Sequence, residues 1–318
     1  MTLAGDAASE PVAGDFHGHP TLRLSGAGVW VEVLASSGPR IVGLGRTDRP
    51  NLLAETPDLG WETPYGRYEL VGGHRLWFAP EDPERVAVPD HDGLAVERVP
   101  DGLRLVGAVE PDTGLVRTIE VRLDAGASAI AIRHELRNRG SQPLEIAPWS
   151  ITQLPLGGEV LLPQRPAVPG HRVRPNRTLV LWPYTSWDDP RIRIRDGLVT
   201  VDAVGGDELK LGSFDEAGWV AYARDGLALV CRFTPALGEA HPDLGCNVET
   251  YCGPRYLELE VLGPLRVLEP GDTAELHERW ELRPLAGAPA DALELANWLA
   301  TSPGDPAHGG DGATRAIA

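Results

Sequence analysis

Long apolar runs are missing from this chain of 318 residues. No stretch approaches the roughly 20 consecutive apolar residues that a membrane-spanning helix needs. The N-terminal segment MTLAGDAASEPVAGD has no basic stretch followed by an apolar core, so no secretory leader is read there. Both absences make a cytoplasmic protein the expectation. Positive charge is also scarce: 29 Lys and Arg stand against 46 Asp and Glu, a net charge of −17. Nucleic acids and anionic membrane surfaces both require basic patches, so neither is an expected partner. Lys210 is the only lysine, a bias read here as codon usage rather than function. The three cysteines, Cys231, Cys246 and Cys252, are odd in number and lack C-x-x-C spacing. They read as buried small hydrophobes rather than as a disulfide framework or zinc site. P-loop, dinucleotide, H-E-x-x-H and G-x-S-x-G patterns are absent, and neither cofactor nor metal is expected.

What the chain has in quantity is turn residues and short alternating segments. Gly 37 and Pro 29 favour many turns over long helices. GLAVERV, GLRLVGAVE, GLVRTIEVRL and SAIAIRHELRN follow one another through PDG, DTG and DAGA turns. Each alternates apolar and polar residues, the period-2 pattern of a half-buried strand. RTLVLW, RIRIRDGLVTVDA, ELKLGSF, GWVAYA, LALVCRF and AELHERWEL continue it. More than a dozen such strands predict one large antiparallel β-sandwich domain over residues 22–302. Residues 1–21 read as a loose arm and 303–318 as a disordered tail. PADALELANWLA, starting at Ala288-Pro289, is the one helix expected.

The stretch CNVETYCGPRYLELEVLGP, residues 246–264, reads as a hairpin about Gly253-Pro254. Symmetric pairing sets Tyr251 opposite Tyr256 and Glu249 opposite Glu258. Val248, Thr250, Leu257, Leu259 and Val261 then face the core. Asn247, Glu249, Tyr251, Tyr256, Glu258 and Glu260 share the other face. Opposed side chains lie about 4.5–5.5 Å apart at Cβ, so opposed glutamates repel and one carboxyl is raised. Two explanations stand side by side. Either the face is solvated, with Arg255, Arg266 and Arg279 relieving the repulsion, or it walls a sugar cleft. In a cleft, aromatic rings take the C–H face of a sugar and carboxylates accept from its hydroxyls. Glu260 reads as a structural partner for an arginine.

Other candidates surround this hairpin. GGHRLWFAPE carries His74, a group that titrates near neutrality, with Arg75 and Trp77 beside two glycines that allow close backbone approach. Trp149 and Gln153 in APWSITQ are placed to line a cleft. Trp182, Tyr184 and Trp187 form an aromatic loop. His241 lies just before the hairpin. His134 alternates with Ile130, Ile132 and Leu136 and reads as a core histidine.

Three of these stretches together resemble the aldose 1-epimerase (galactose mutarotase-like) superfamily. They are GGHRLWFAPE, IRHELRNRGSQPLEIAPWSITQLPLGG, and CNVETY with YLELEVLGPLRVLEPGDTAELHERWEL, within residues 22–284. The resemblance is strongest to an uncharacterised bacterial branch. It implies an all-β fold, a large twisted antiparallel supersandwich with a short C-terminal helix, binding a small-molecule sugar. In that family a Glu takes the anomeric hydroxyl proton and a His protonates the ring oxygen. Glu249 falls at the glutamate position. The histidine position falls near Trp149-Ser150-Ile151, where no His stands, and His74 and His241 are the substitutes considered, His74 being placed in the catalytic pair. The implied site is then Glu249 and His74 as catalytic pair, with Arg75, Trp77, Trp149, Gln153, Tyr251, Glu258 and His241 contacting substrate. Two alternatives to anomer interconversion remain: a non-catalytic sugar-binding protein, and a glycoside hydrolase or lyase using Glu249 and Glu258, whose carboxyls a retaining mechanism sets ~5–5.5 Å apart.

Overall fold

The structure, a computed structural model, describes residues 10–124, 127–164 and 175–301. The expected tail at 303–318 and the first nine residues of the expected arm lie outside the described residues. Val12–Phe16 and His19–Gly26 pair as a β-hairpin, so the sheet begins before Leu22 and the arm reading fails there. The sequence hid this strand pair because Gly14, His17 and Gly18 look like loop residues; an edge strand tolerates Gly14, and His17 and Gly18, with φ of 52° and 91°, form the two-residue turn between the strands.

Two antiparallel sheets form the body, of eleven and ten strands among the described residues. From its middle to one edge the larger sheet runs Arg40–Arg46, His74–Ala79, Leu144–Pro155, Tyr256–Leu262, Val248–Cys252, Leu209–Ser213 and, at the edge, Leu179–Leu181. The smaller is centred on Leu227–Phe233, Thr273–Pro284, Ala129–Asn138 and Leu115–Leu123. A separate hairpin, Glu55–Thr63 with Gly66–Gly72, leads into His74–Ala79. The all-β sandwich expected from period-2 patterning is therefore the fold. Alternation places Leu76, Phe78, Leu154, Leu257, Leu259 and Val261 of the larger sheet in one apolar core with Ile119, Ile130, Ile132 and Trp280 of the smaller. The three cysteines are free and buried, as small hydrophobes.

The helix is shorter than PADALELANWLA suggested. It spans Ala292–Ala300, and Asp291 caps it through bonds from the Leu293 and Glu294 amides. A capping side chain competes with continuation of the helix upstream, so the preceding residues stay outside. Leu295, Ala296 and Leu299 pack on Leu161, Trp219, Ala221 and Val230 of the smaller sheet.

A polar chain crosses the core between the sheets. His74 Nε2 and His134 Nε2 are 2.7 Å apart, His74 Nδ1 is 2.9 Å from Thr152 Oγ1, and His134 Nδ1 is 3.2 Å from Leu276 O. The carbonyl only accepts, so His134 Nδ1 carries a proton. His134 Nε2 then accepts from His74, and His74 Nδ1 accepts from Thr152. Every member is satisfied with both rings neutral. Burial pushes His134 down to about 4, and burial with the neighbouring His134 pushes His74 well below its usual value. Below about pH 6.5 the unfolded chain binds protons that this pair refuses, so its contribution to stability declines as pH falls from there toward 4. The His134 ring protons should accordingly keep neutral-form NMR shifts from pH 8 down to about 5, assigned against a His134→Asn variant. A midpoint near 6.5 would contradict the buried neutral pair.

Candidate functional site

The hairpin register differs from the symmetric one by two residues. Glu249 is opposite Glu260, Tyr251 opposite Glu258, and Cys252 opposite Leu257. A slip of one residue would have reversed every side chain, but a slip of two leaves the faces unchanged. Val248, Thr250, Leu257, Leu259 and Val261 are buried in the core as expected. The longer loop, Gly253 to Tyr256, closes through the Gly253 amide donating to Tyr256 O at 3.0 Å. Glu249 and Glu258 are thus not directly opposed, and the pairing behind the hydrolase reading is absent.

The same alternation assembles the face turned away from the core. Ile151 is flanked by Arg75 and Glu260, Gln153 by Glu258, and Trp149 by Trp77. Lys210 is beside Tyr251, and Gly212 beside Glu249. A Cβ on Gly212 would come within 2.9 Å of Glu249 Cγ and 2.8 Å of Cys246 Sγ, so glycine there makes room for the glutamate. At the start of His74–Ala79, Gly72 and Gly73 have φ of 104° and 73°. A Cβ on Gly73 would meet Ile41 O at 2.1 Å, the close backbone approach the paired glycines permit.

The face is far from solvated. Glu249 and Glu260 are 0% exposed. Their counter-ion is Lys210, whose Nζ is 2.8 Å from Glu249 Oε2 and 2.9 Å from Glu260 Oε2. The ammonium lies over two indoles, 4.5 Å from the Trp149 ring centre and 4.8 Å from that of Trp182. Trp149 Nε1 donates to Glu260 Oε2 at 2.7 Å. Two residues along, Arg75 donates to Glu258 Oε1 at 2.9 Å and stacks 4.3 Å from the Trp77 ring centre. Gln153 also donates to Glu258 Oε1, at 3.2 Å. Tyr251 and Tyr256 pack with ring centres 5.9 Å apart.

Burial pushes the Glu249 carboxyl well above the usual carboxylate range, with Glu260 adding to the effect and Lys210 opposing it. Burial likewise raises Glu258 against the pull of Arg75. For Lys210, burial disfavours the charge, but Glu260 and Glu249 outweigh it and hold the ammonium protonated. Several buried polar atoms here have no hydrogen-bond partner: Glu249 Oε1, Glu260 Oε1, Gln153 Oε1, and Arg75 Nε and Nη1. Unpaired buried groups cost free energy, so this cluster of acceptors and donors is suited to a ligand rich in hydroxyls.

Seven of the nine expected site residues meet on this face: Arg75, Trp77, Trp149, Gln153, Glu249, Tyr251 and Glu258. His74 does not, because it neighbours Arg75 in a strand and therefore points the other way, into the polar chain of the core. His241 lies elsewhere, edge-on to Phe214 at 5.1 Å, in a recess of about 320 Å³ shared with Phe233 and His277. The arginines expected to relieve the glutamates are engaged outside it: Arg255 with Asp58, Arg266 with Glu239, Arg279 with Asp124. Glu260 pairs with Lys210, not an arginine. Trp182 joins the site, whereas Trp187 in the same loop is 87% exposed. Sequence reasoning overlooked Lys210, although its solitude was the available signal.

No family model matches the chain, and no curated protein matches it in sequence. Solved structures do match. A galactose mutarotase-like protein from Lactobacillus casei superposes with a TM-score of 0.54 at 11% identity, over 83% of this chain and 100% of that one. The chain has the galactose mutarotase-like fold. A candidate aldose 1-epimerase from Klebsiella pneumoniae gives a TM-score of 0.52 at 12% identity, over 90% of this chain and 85% of that one. A TPR-domain-containing protein from Parabacteroides distasonis gives 0.56 at 15% identity, over 86% of this chain and 48% of that one, so the chain spans about half the length of that protein. At these identities the likeness speaks for the fold alone.

Arg75 and Glu258 provide a direct energetic test of the buried site. Arg75→Leu leaves a buried carboxylate unpaired and should lower unfolding stability by about 3–5 kcal/mol. The Arg75→Leu/Glu258→Leu double variant should recover most of that loss in urea titrations. Equal losses in both would show that the pair is not coupled.

Proposed function

We propose that this face binds a sugar and acts at its anomeric carbon. The observation that carries the reading is the group of partnerless buried oxygens and nitrogens set among Trp77, Trp149 and Trp182. Aromatic walls suit the C–H faces of a pyranose, and the unpaired groups suit its hydroxyls. The mutarotase-like and aldose 1-epimerase names of the structural neighbours agree with this class of ligand.

Glu249 is the base in this reading. Its carboxylate takes the proton from the anomeric hydroxyl as the C1 to ring-oxygen bond breaks, an acid protonates the departing ring oxygen, and C1 becomes an aldehyde carbon. Rotation about the C1–C2 bond and closure on the other side give the second anomer, with the proton returned. A base works best with a pKa near the working pH, and burial moves Glu249 in that direction. A second reading rests on one observation: neither histidine considered as acid is on this face, His74 being buried on the opposite side and His241 lying beside Phe214. Without an acid the face binds sugar and leaves the anomers alone.

Exchange NMR across a panel of free aldoses separates the two. The enzyme reading expects anomer exchange faster than in buffer, with a rate that rises with pH through a midpoint well above the ordinary glutamate value of about 4.3. Glu249→Gln should remove at least 100-fold of the acceleration while sugar still quenches or enhances tryptophan fluorescence. Binding without exchange in the unsubstituted protein would favour the binding reading, and an unchanged rate in Glu249→Gln would sink the base assignment.

A further inference from the structure

Lys210 has a property that ion pairing does not explain. The chain contains 29 basic residues, and Lys210 is its only lysine. Described arginines meet carboxylates throughout the molecule, among them Arg40 with Asp90, Arg75 with Glu258 and Arg117 with Glu110. An arginine forms the stronger, two-pronged pair with carboxylates. In a chain so biased toward arginine, the charge of the ion pair alone does not single out lysine for the place between two buried glutamates. The property that sets lysine apart is a compact ammonium that can release a proton, which a guanidinium in a protein does not do.

Its position fits that use. Glu249 and Glu260 have 0% side-chain exposure, while Lys210 retains 7%. Lys210 is therefore the member of the trio nearest the surface, and a ligand that reaches Glu249 also meets the ammonium. Two indoles flank it, Trp149 and Trp182. The groups that bear on its charge are Glu249, in the neighbouring strand, and Glu260, in the strand beyond it, with the Glu81 and Tyr184 side chains from flanking loops within its field. The family's acid position, near Trp149-Ser150-Ile151, is occupied on this face by the Trp149 ring that Lys210 covers.

We propose that Lys210 is the proton donor to the ring oxygen, the acid that completes the pair with Glu249. The inference rests on the reading that this face acts at the anomeric carbon. In the opening step Glu249 gains the proton of the anomeric hydroxyl, the bond from C1 to the ring oxygen breaks, and that oxygen takes a proton from Lys210. The lysine is left as a neutral amine and the sugar as an open-chain aldehyde, with no net gain or loss of protons. Closure reverses both transfers. The two transfers assist one another. Lys210 holds its proton firmly while both glutamates are ionised. Once Glu249 is protonated, one of those two negative neighbours is neutralised and the ammonium becomes a better acid at the moment the ring oxygen develops charge.

Lys210→Arg is the decisive variant, because arginine can keep both ion pairs but cannot donate. With an aldose that the unsubstituted protein turns over, Lys210→Arg should keep its urea midpoint and tryptophan-fluorescence binding within about threefold. Its kcat should fall at least 100-fold. Lys210→Ala should lose the same activity and regain part of it in proportion to added methylamine. Retention of kcat within threefold in Lys210→Arg would overturn the assignment and leave Lys210 as a counter-ion. Absence of exchange in the unsubstituted protein across the panel would instead overturn the anomeric reading on which it rests.

Discussion

One buried ammonium allows the candidate site to exist. Glu249 and Glu260 face each other across adjacent strands with no access to water. Two opposed carboxylates in that position repel and lose hydration. Lys210 bonds to both, and the indoles of Trp149 and Trp182 shield it. The arrangement leaves one oxygen of each glutamate unpartnered. Lys210 thus removes most of the repulsion and leaves directed hydrogen-bonding capacity behind.

The second organising constraint is the two-residue period of the strand. In His74–Ala79 the even positions enter the core and the odd positions build the site. His74 and Arg75 are adjacent in sequence and serve opposite faces. His74 joins the neutral chain to His134 and Leu276 O, and Arg75 holds Glu258. Leu144–Pro155 divides likewise: Ser150 and Thr152 bond into the core, Trp149 and Gln153 into the site. Ser150 donates to the buried Glu278, so the interior carries polar contacts that tie one sheet to the other.

Much of the site was legible because alternation is local. Period-2 patterning sorted Glu249, Tyr251, Glu258 and Glu260 from Thr250, Leu257 and Leu259, and that sorting survived an incorrect turn because the slip was an even number of residues. The same reasoning explains where the reading failed. His74 was grouped with Glu249 on chemical suitability, although its own neighbour Arg75 was assigned to the same site; two consecutive strand residues do not share a face. Arg255, Arg266 and Arg279 are close to the glutamates only along the chain, and their partners are Asp58 in the strand Glu55–Thr63 and Glu239 and Asp124 in loops.

The sequence alone determined the all-β class, the antiparallel sandwich and the polar composition of one hairpin face, since each follows from residue alternation and turn chemistry over short spans. Tertiary structure alone decided which charge neutralises those glutamates. Lys210 is separated from Glu260 by 50 positions, and no local pattern links them. Their meeting depends on the order of strands in the sheet, which places Leu209–Ser213 beside Val248–Cys252 and that strand beside Tyr256–Leu262. A charge that looks like a compositional remnant along the chain becomes, through that order, the centre of the site.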